Sequence, residues 1–166
     1  MPATRVVWDT FNPRPALESI EAEFLFIGRN NGAAQPINDE DPVTAGMQEV
    51  VLSCAGEIRA SKTAASALTF TPLLMTSPTS RYVEFREMLQ RGPMGITGFN
   101  PNRVPRGEGE SRIVAARVRG VPLPASPGPE GSGEAPVAAS PGVPVNVVLV
   151  SDLDWISDIF FELRME

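Results

Sequence analysis

The sequence predicts an α/β domain: a layered, mixed β-sheet of about five strands with few helices. The main observation is the run Val145–Val150 (VNVVLV), which is rich in β-branched residues and carries no charge. Such a short apolar run is typical of a strand that is buried on both faces. After it, apolar residues recur at helical spacing and form one stripe. The residues expected in the core are Val147, Leu149, Ile156, Phe160 and Leu163.

Other runs with strand character precede this one. They are Arg5–Asp9, Glu23–Gly28, Gln48–Ile58, Ala67–Met75 and Arg112–Gly120. Pro72 removes a hydrogen-bond donor from its strand, which should therefore lie at a sheet edge or contain a bulge. Apolar and basic residues alternate in the last run, which predicts one solvated face and an antiparallel or edge position.

The remaining segments predict one helix and two irregular stretches. Tyr82–Gln90 has helical spacing of apolar residues, and Ser80 is placed to cap its first turn. Gly95–Gly109 should be irregular. Val121–Pro144 has seven prolines and four glycines, so it cannot bury enough apolar surface to offset its ordering entropy. We expect a single domain over residues 1–166, with residues 121–144 as a flexible excursion between two strands.

Composition excludes several classes of function. The net charge is −6 and the basic residues are scattered, so the chain lacks the basic patch of a nucleic-acid-binding protein. No run approaches the ~20 apolar residues that span a bilayer. The single cysteine, Cys54, is expected to be a buried and inert thiol.

The absence of histidine argues against catalysis. A Ser-His-Asp or Cys-His mechanism cannot be completed within the chain, so we expect no enzyme activity and no cofactor. The hydroxyls of Ser77 and Ser80 are expected to bind backbone groups. Three carboxylates follow the last strand, and two interpretations stay open for them: capping of a helix start or binding of a hard cation such as Mg²⁺. They are Asp152, Asp154 and Asp158.

Three segments resemble the gliding-motility-type auxiliary component of bacterial ABC transport systems. The run NVVLVSDLDWISDIFFELR resembles the last strand and helix of that family. Its matching positions are Asp152, Asp154, Ile156, Ser157, Asp158, Phe160 and Phe161. Phe70–Ser80 (FTPLLMTSPTS) resembles the family segment T-P-L-L-x-T-S-x-x-S, and Asp41–Met47 (DPVTAGM) resembles a P-V/I-T-x-G-L turn. The three segments occur in the family's order and span most of the chain.

The resemblance implies a flavodoxin-like or glutamine-amidotransferase-like layered fold. It also implies that the chain is a soluble piece, the C-terminal half, of the extracytoplasmic (periplasmic) domain of a membrane-anchored protein. The expected function is a non-catalytic module that contacts the permease and ATPase subunits or other proteins of the complex. We also expect homodimers formed through sheet edges left open by the missing half, best at Arg5–Asp9 and Glu23–Gly28.

Two alternatives remain beside this function. One is a metal-assisted hydrolase that uses Asp152 and Asp154, and the other is a small-solute-binding module, which needs a deep pocket. The candidate binding residues are Thr76, Ser77, Ser80, Asp152, Asp154 and Asp158.

Overall fold

The computed structural model describes residues 4–61, 68–93, 95–121 and 143–152. The predicted C-terminal helix, with Ile156, Phe160 and Leu163, lies outside the described residues. So do Asp154, Asp158 and nearly all of the predicted excursion at 121–144.

The described chain is built almost entirely from strands. They are β1 (Arg5–Trp8), β2 (Phe24–Gly28), β3 (Glu49–Ser53), β4 (Leu68–Met75), β5 (Arg81–Glu84), β6 (Leu89–Gly92), β7 (Gly95–Phe99), β8 (Ile113–Gly120) and β9 (Val145–Val150). The helical elements in the described ranges are a 3₁₀ turn at Pro15–Leu17 and a one-turn helix, α1 (Phe85–Met88). The prediction of an α/β layered fold is therefore wrong.

The strands form four small antiparallel sheets. Their strand orders are β1-β5, β2-β3, β4-β8-β9 and β6-β7. A parallel pair needs a crossover of a dozen or more residues, usually a helix, and α1 has four residues. The predicted mixed sheet, and with it the flavodoxin-like or glutamine-amidotransferase-like layering, is absent from the described residues.

The run VNVVLV forms a strand as predicted, but not a buried one. β9 is the edge strand of its three-stranded sheet and pairs with β8, with Val147 opposite Val118. Val147 is 46% exposed and Leu149 is 42% exposed, so the prediction that both lie in the core is wrong. An apolar run shows that a segment can form a strand, whereas burial depends on what packs against it.

The prediction for Pro72 is confirmed. β4 is the other edge of the same sheet, and its register with β8 shifts between Pro72 and Leu74. The loop before β3 covers this edge, because Asn38 N–H donates to Leu73 O at 2.9 Å and Met75 N–H donates to Pro36 O at 2.9 Å. β8 is antiparallel as predicted, although it lies in the centre of the sheet.

The predicted helix over Tyr82–Gln90 is largely wrong. β5 begins at Arg81 and pairs with β1, α1 follows for one turn, and β6 then pairs with β7. Tertiary pairing overrides the helical spacing here, because Val83 is needed on β5, where it is fully buried beside Val6 and Met88. Gly95–Gly109 is predicted to be irregular, and this is wrong for its first five residues, which form β7.

The main core lies between the sheets. It contains Val7, Leu25, Ile27, Ile37, Leu52, Ala55, Leu73, Leu74, Val114 and Ala115. Eight of these residues come from β1, β2, β3, β4 and β8, and Ile37 and Ala55 come from the segments before and after β3. The core therefore joins three of the four sheets. Removal of this apolar surface from water is the main stabilising contribution.

Candidate functional site

A buried polar junction lies where β4 ends, and it contains three of the predicted site residues. Thr76 and Ser80 are fully buried and Ser77 almost so. Arg112 N–H donates to Thr76 Oγ1 at 2.9 Å, and Ser80 Oγ donates to Glu110 O at 2.6 Å. Because the Ser80 proton is used there, the 2.6 Å contact between Thr76 and Ser80 has Thr76 as its donor.

These hydroxyls therefore form a relay between two backbone groups. The relay joins the end of β4 to the segment that enters β8, with every donor and acceptor satisfied. Ser80 does not cap a helix, because β5 follows it directly. The sequence predicts that these hydroxyls bind backbone groups. Ser80 does bind one, but the group is the carbonyl of Glu110 and not the start of a helix.

Asp9, which directly follows β1, anchors the same junction. Its carboxylate is buried and accepts Ser77 N–H at 2.9 Å, Ser77 Oγ–H at 2.7 Å and Phe11 N–H at 3.1 Å. Thr79 is 2.9 Å from Ser77 Oγ, whose own proton goes to Asp9. Sequence reasoning missed Asp9, because its partner lies 68 residues away.

Arg112, whose N–H binds Thr76, also has a buried side chain at the junction. It is 1% exposed, and its guanidinium lies 3.5 Å from the centre of the Tyr82 ring and 2.8 Å from Glu110. Tyr82 O–H donates to Glu57, and Arg59 donates to Tyr82 Oη at 2.8 Å. Burial, followed by the hydrogen bond to Glu57, raises the pKa of Tyr82. This set of contacts clamps β5 against β8 and the segment after β3.

Asp152 lies elsewhere, at the end of β9. Its carboxylate is buried and accepts Ser53 N–H at 2.6 Å. It therefore ties the end of β9 to the end of β3, beside the half-buried Cys54, whose φ of 52° is in the left-handed region. Among the described residues, no group of acidic, cysteine or histidine side chains has the arrangement of a metal site.

An open cavity of about 250 Å³ lies between β1 and β2. Asp9, Phe11, Glu18, Glu21 and Phe26 are among the residues that line it. It is smaller than the 300–1,000 Å³ of ordinary ligand pockets.

A second charged contact holds the loop before β3 onto β8. Asp41 accepts Val43 N–H at 3.0 Å and a guanidinium N–H of Arg117 at 2.8 Å. The Val43 N–H, followed by Arg117, lowers the pKa of Asp41 below its usual range. The carboxylate thus binds its proton less tightly in the folded chain than in the unfolded chain.

Acid should remove this contribution of Asp41. A lowered folded-state pKa means that the contribution is complete above the unfolded pKa, about 3.9, and is lost as pH falls through the folded value. We expect Asp41→Asn to lower the free energy of unfolding at pH 7. At pH values below the folded-state pKa of Asp41, the variant and the wild type should have nearly the same free energy of unfolding. Urea denaturation at several pH values measures this, with the exposed Glu40→Gln as control. A difference that stays constant with pH would contradict it.

The chain resembles one known protein family over most of its length. The family model described as an ABC-type uncharacterized transport system, an auxiliary component of such systems, matches residues 22–166. The chain belongs to this family. Neither a curated protein nor a solved structure is significantly similar to it. Within the described ranges, no helix has the length and hydropathy needed to cross a membrane.

Proposed function

We propose that this chain is a non-catalytic module of the auxiliary subunit and that it acts through contacts with other proteins of the transport complex. The observation that supports this is the use of its polar side chains. Thr76, Ser77 and Ser80 are buried, and their hydroxyls bind backbone or carboxylate groups of the chain itself. The end of the family-like segment Phe70–Ser80 thus has the contacts of a structural element.

The surface that meets partners would be apolar. Several large apolar side chains are exposed in the described residues. Three of them, Val147, Val148 and Leu149, are consecutive on β9, and the others lie at single positions elsewhere, such as Phe85 on α1 and Ile96 on β7. The partners would be the permease and ATPase subunits of the same system, and a second copy of this chain. The proposed location is extracytoplasmic, in a machinery related to gliding motility or export; both points rest on the resemblance of the three segments described above.

Co-purification tests the partner assignment. The full-length protein, tagged and solubilised from membranes of its own cell, is expected to retain an ABC permease and its ATPase in comparable amounts. The reciprocal purification, with the tag on the ATPase, should retain this protein. Recovery of neither transporter subunit in either direction would contradict the proposal.

Cysteine labelling tests the location. Ile96 is 63% exposed on β7, so Ile96→Cys should react with a membrane-impermeant maleimide added to intact spheroplasts. Both variants carry Cys54→Ser, because the native thiol is only half-buried and would add its own reaction. The matched control is Val7→Cys, a fully buried position that should react only after denaturation. Labelling of Ile96→Cys only after the cells are lysed would place the chain on the cytoplasmic side.

A further inference from the structure

We propose that two copies of this chain associate through β9, pairing antiparallel about a two-fold axis that passes between the two Val148 residues. The pairing requires no transporter subunit, so its test is independent of the proposed transport function. The sequence predicts self-association at the edges of Arg5–Asp9 and Glu23–Gly28. In the structure β1 pairs with β5 and its Val7 N–H also donates to Ala55 O, while β2 pairs with β3 along one side.

β9 presents an open hydrogen-bonding edge within the described residues. Ser151 N–H donates to Val114 O on β8 at 3.0 Å. Backbone groups alternate in direction along a strand, so the groups of Val147 and Leu149 also point to β8. Those of Asn146, Val148 and Val150 point away from the sheet, where the order β4-β8-β9 places no described strand.

The side chains of β9 lack the usual protection of an edge strand. Natural edges are blunted by charged residues, prolines, bulges or covering loops. β9 carries no charge and no proline between its ends, and its register with β8 has no shift. Val147, Val148 and Leu149 are 46%, 38% and 42% exposed. The opposite edge, β4, is covered by the segment that contains Asn38.

The strand is complementary to itself. With the outward groups paired, Val148 faces Val148 of the second copy and Asn146 faces Val150, which gives about six main-chain hydrogen bonds. Val147 then faces Leu149. Every opposed pair is free of charge, so no like charges meet although each chain has a net charge of −6. The two three-stranded sheets become one continuous sheet of ordinary size, as an isologous interface requires.

A charge swap at Val148 tests both the partner and the register. The wild-type chain should sediment as a dimer at micromolar concentration. Val148→Lys and Val148→Glu each place like charges opposite each other at the two-fold axis, so each should raise the dissociation constant by about tenfold or more. An equimolar mixture of the two variants should regain dimers, because lysine then faces glutamate.

Two further variants separate association from folding. Val104 is 58% exposed and distant from β9 in sequence. The Val104→Lys variant should therefore remain a dimer. Val148→Pro removes an outward N–H that β8 does not use, which edge strands tolerate, and it should give a folded monomer by circular dichroism. A monomeric wild type, no recovery in the mixture, or a dimer that survives Val148→Pro would each overturn the proposal.

Discussion

Replacing Arg103 with leucine is expected to destabilise the chain by about 3–5 kcal/mol, the usual result of leaving a buried charge without its partner. Glu23, immediately before β2, is completely buried. Arg103 Nε donates to its Oε1 at 2.5 Å and a terminal nitrogen donates to its Oε2 at 2.8 Å. The guanidinium also bonds Glu21 and lies 5.3 Å from the centre of the Phe99 ring.

The electrostatics of this site agree with a strong pair. The hydrogen bond to Glu23 is the main reason why the pKa of Arg103 is raised, against the lowering effect of burial. Only 10% of the Arg103 side chain is exposed, so water cannot replace the lost guanidinium. In Arg103→Leu, Glu23 would have to remain charged without its partner, take up a proton, or open the structure around β2.

Urea denaturation of Arg103→Leu is compared with two control variants. Arg106 bonds Glu87 at the surface, 2.9 Å away with 54% of the arginine side chain exposed, and surface pairs contribute about 0–1 kcal/mol. Arg106→Leu should therefore change the urea midpoint little. The double variant Glu23→Leu with Arg103→Leu should recover much of the loss, because no charge is left buried. Equal effects of Arg103→Leu and Arg106→Leu would contradict the prediction.

The sequence predicts strands better than it predicts their partners, and the reason is physical. Alternation and β-branching are local, so β1, β2, β4, β8 and β9 are recognisable from short windows. Pairing is not local: Val6 pairs with Val83 on β5. Nothing in a window around residue 83 shows that partner, and the helical spacing of Val83, Met88 and Leu89 therefore predicts a helix that the structure replaces with two strands and one turn.

The candidate site shows the same division. The sequence identifies Thr76, Ser77 and Ser80 as a hydroxyl-rich loop after a strand, and the structure places them together. It gives no sign that Asp9 and Arg112 complete the junction, since a single buried carboxylate and a single buried guanidinium have no sequence pattern. The exposure of β9 could not be predicted either, because an uncharged apolar run has the same composition at the centre of a sheet and at its edge.

Asp9 gives the second large expected effect: Asp9→Ala should cost about 3 kcal/mol or more, because it leaves three donors without an acceptor at about 1–3 kcal/mol each. The donors are the N–H and hydroxyl of Ser77 and the N–H of Phe11. Asp9→Asn should be nearly as harmful. Both carboxylate oxygens accept hydrogen bonds, so in either orientation the amide NH₂ faces another donor.

Two controls make this prediction specific to the junction. Ser77→Ala removes one hydroxyl but keeps the main-chain N–H that Asp9 accepts, so it should cost less than Asp9→Ala. Asp39→Ala removes an exposed carboxylate whose partner, Arg29, is also exposed, and it should have a small effect. Urea denaturation followed by circular dichroism measures all four variants. If Asp9→Asn retained wild-type stability, the carboxylate would not be the acceptor on which the junction depends, and the contacts of Ser77 would have to be maintained in another way.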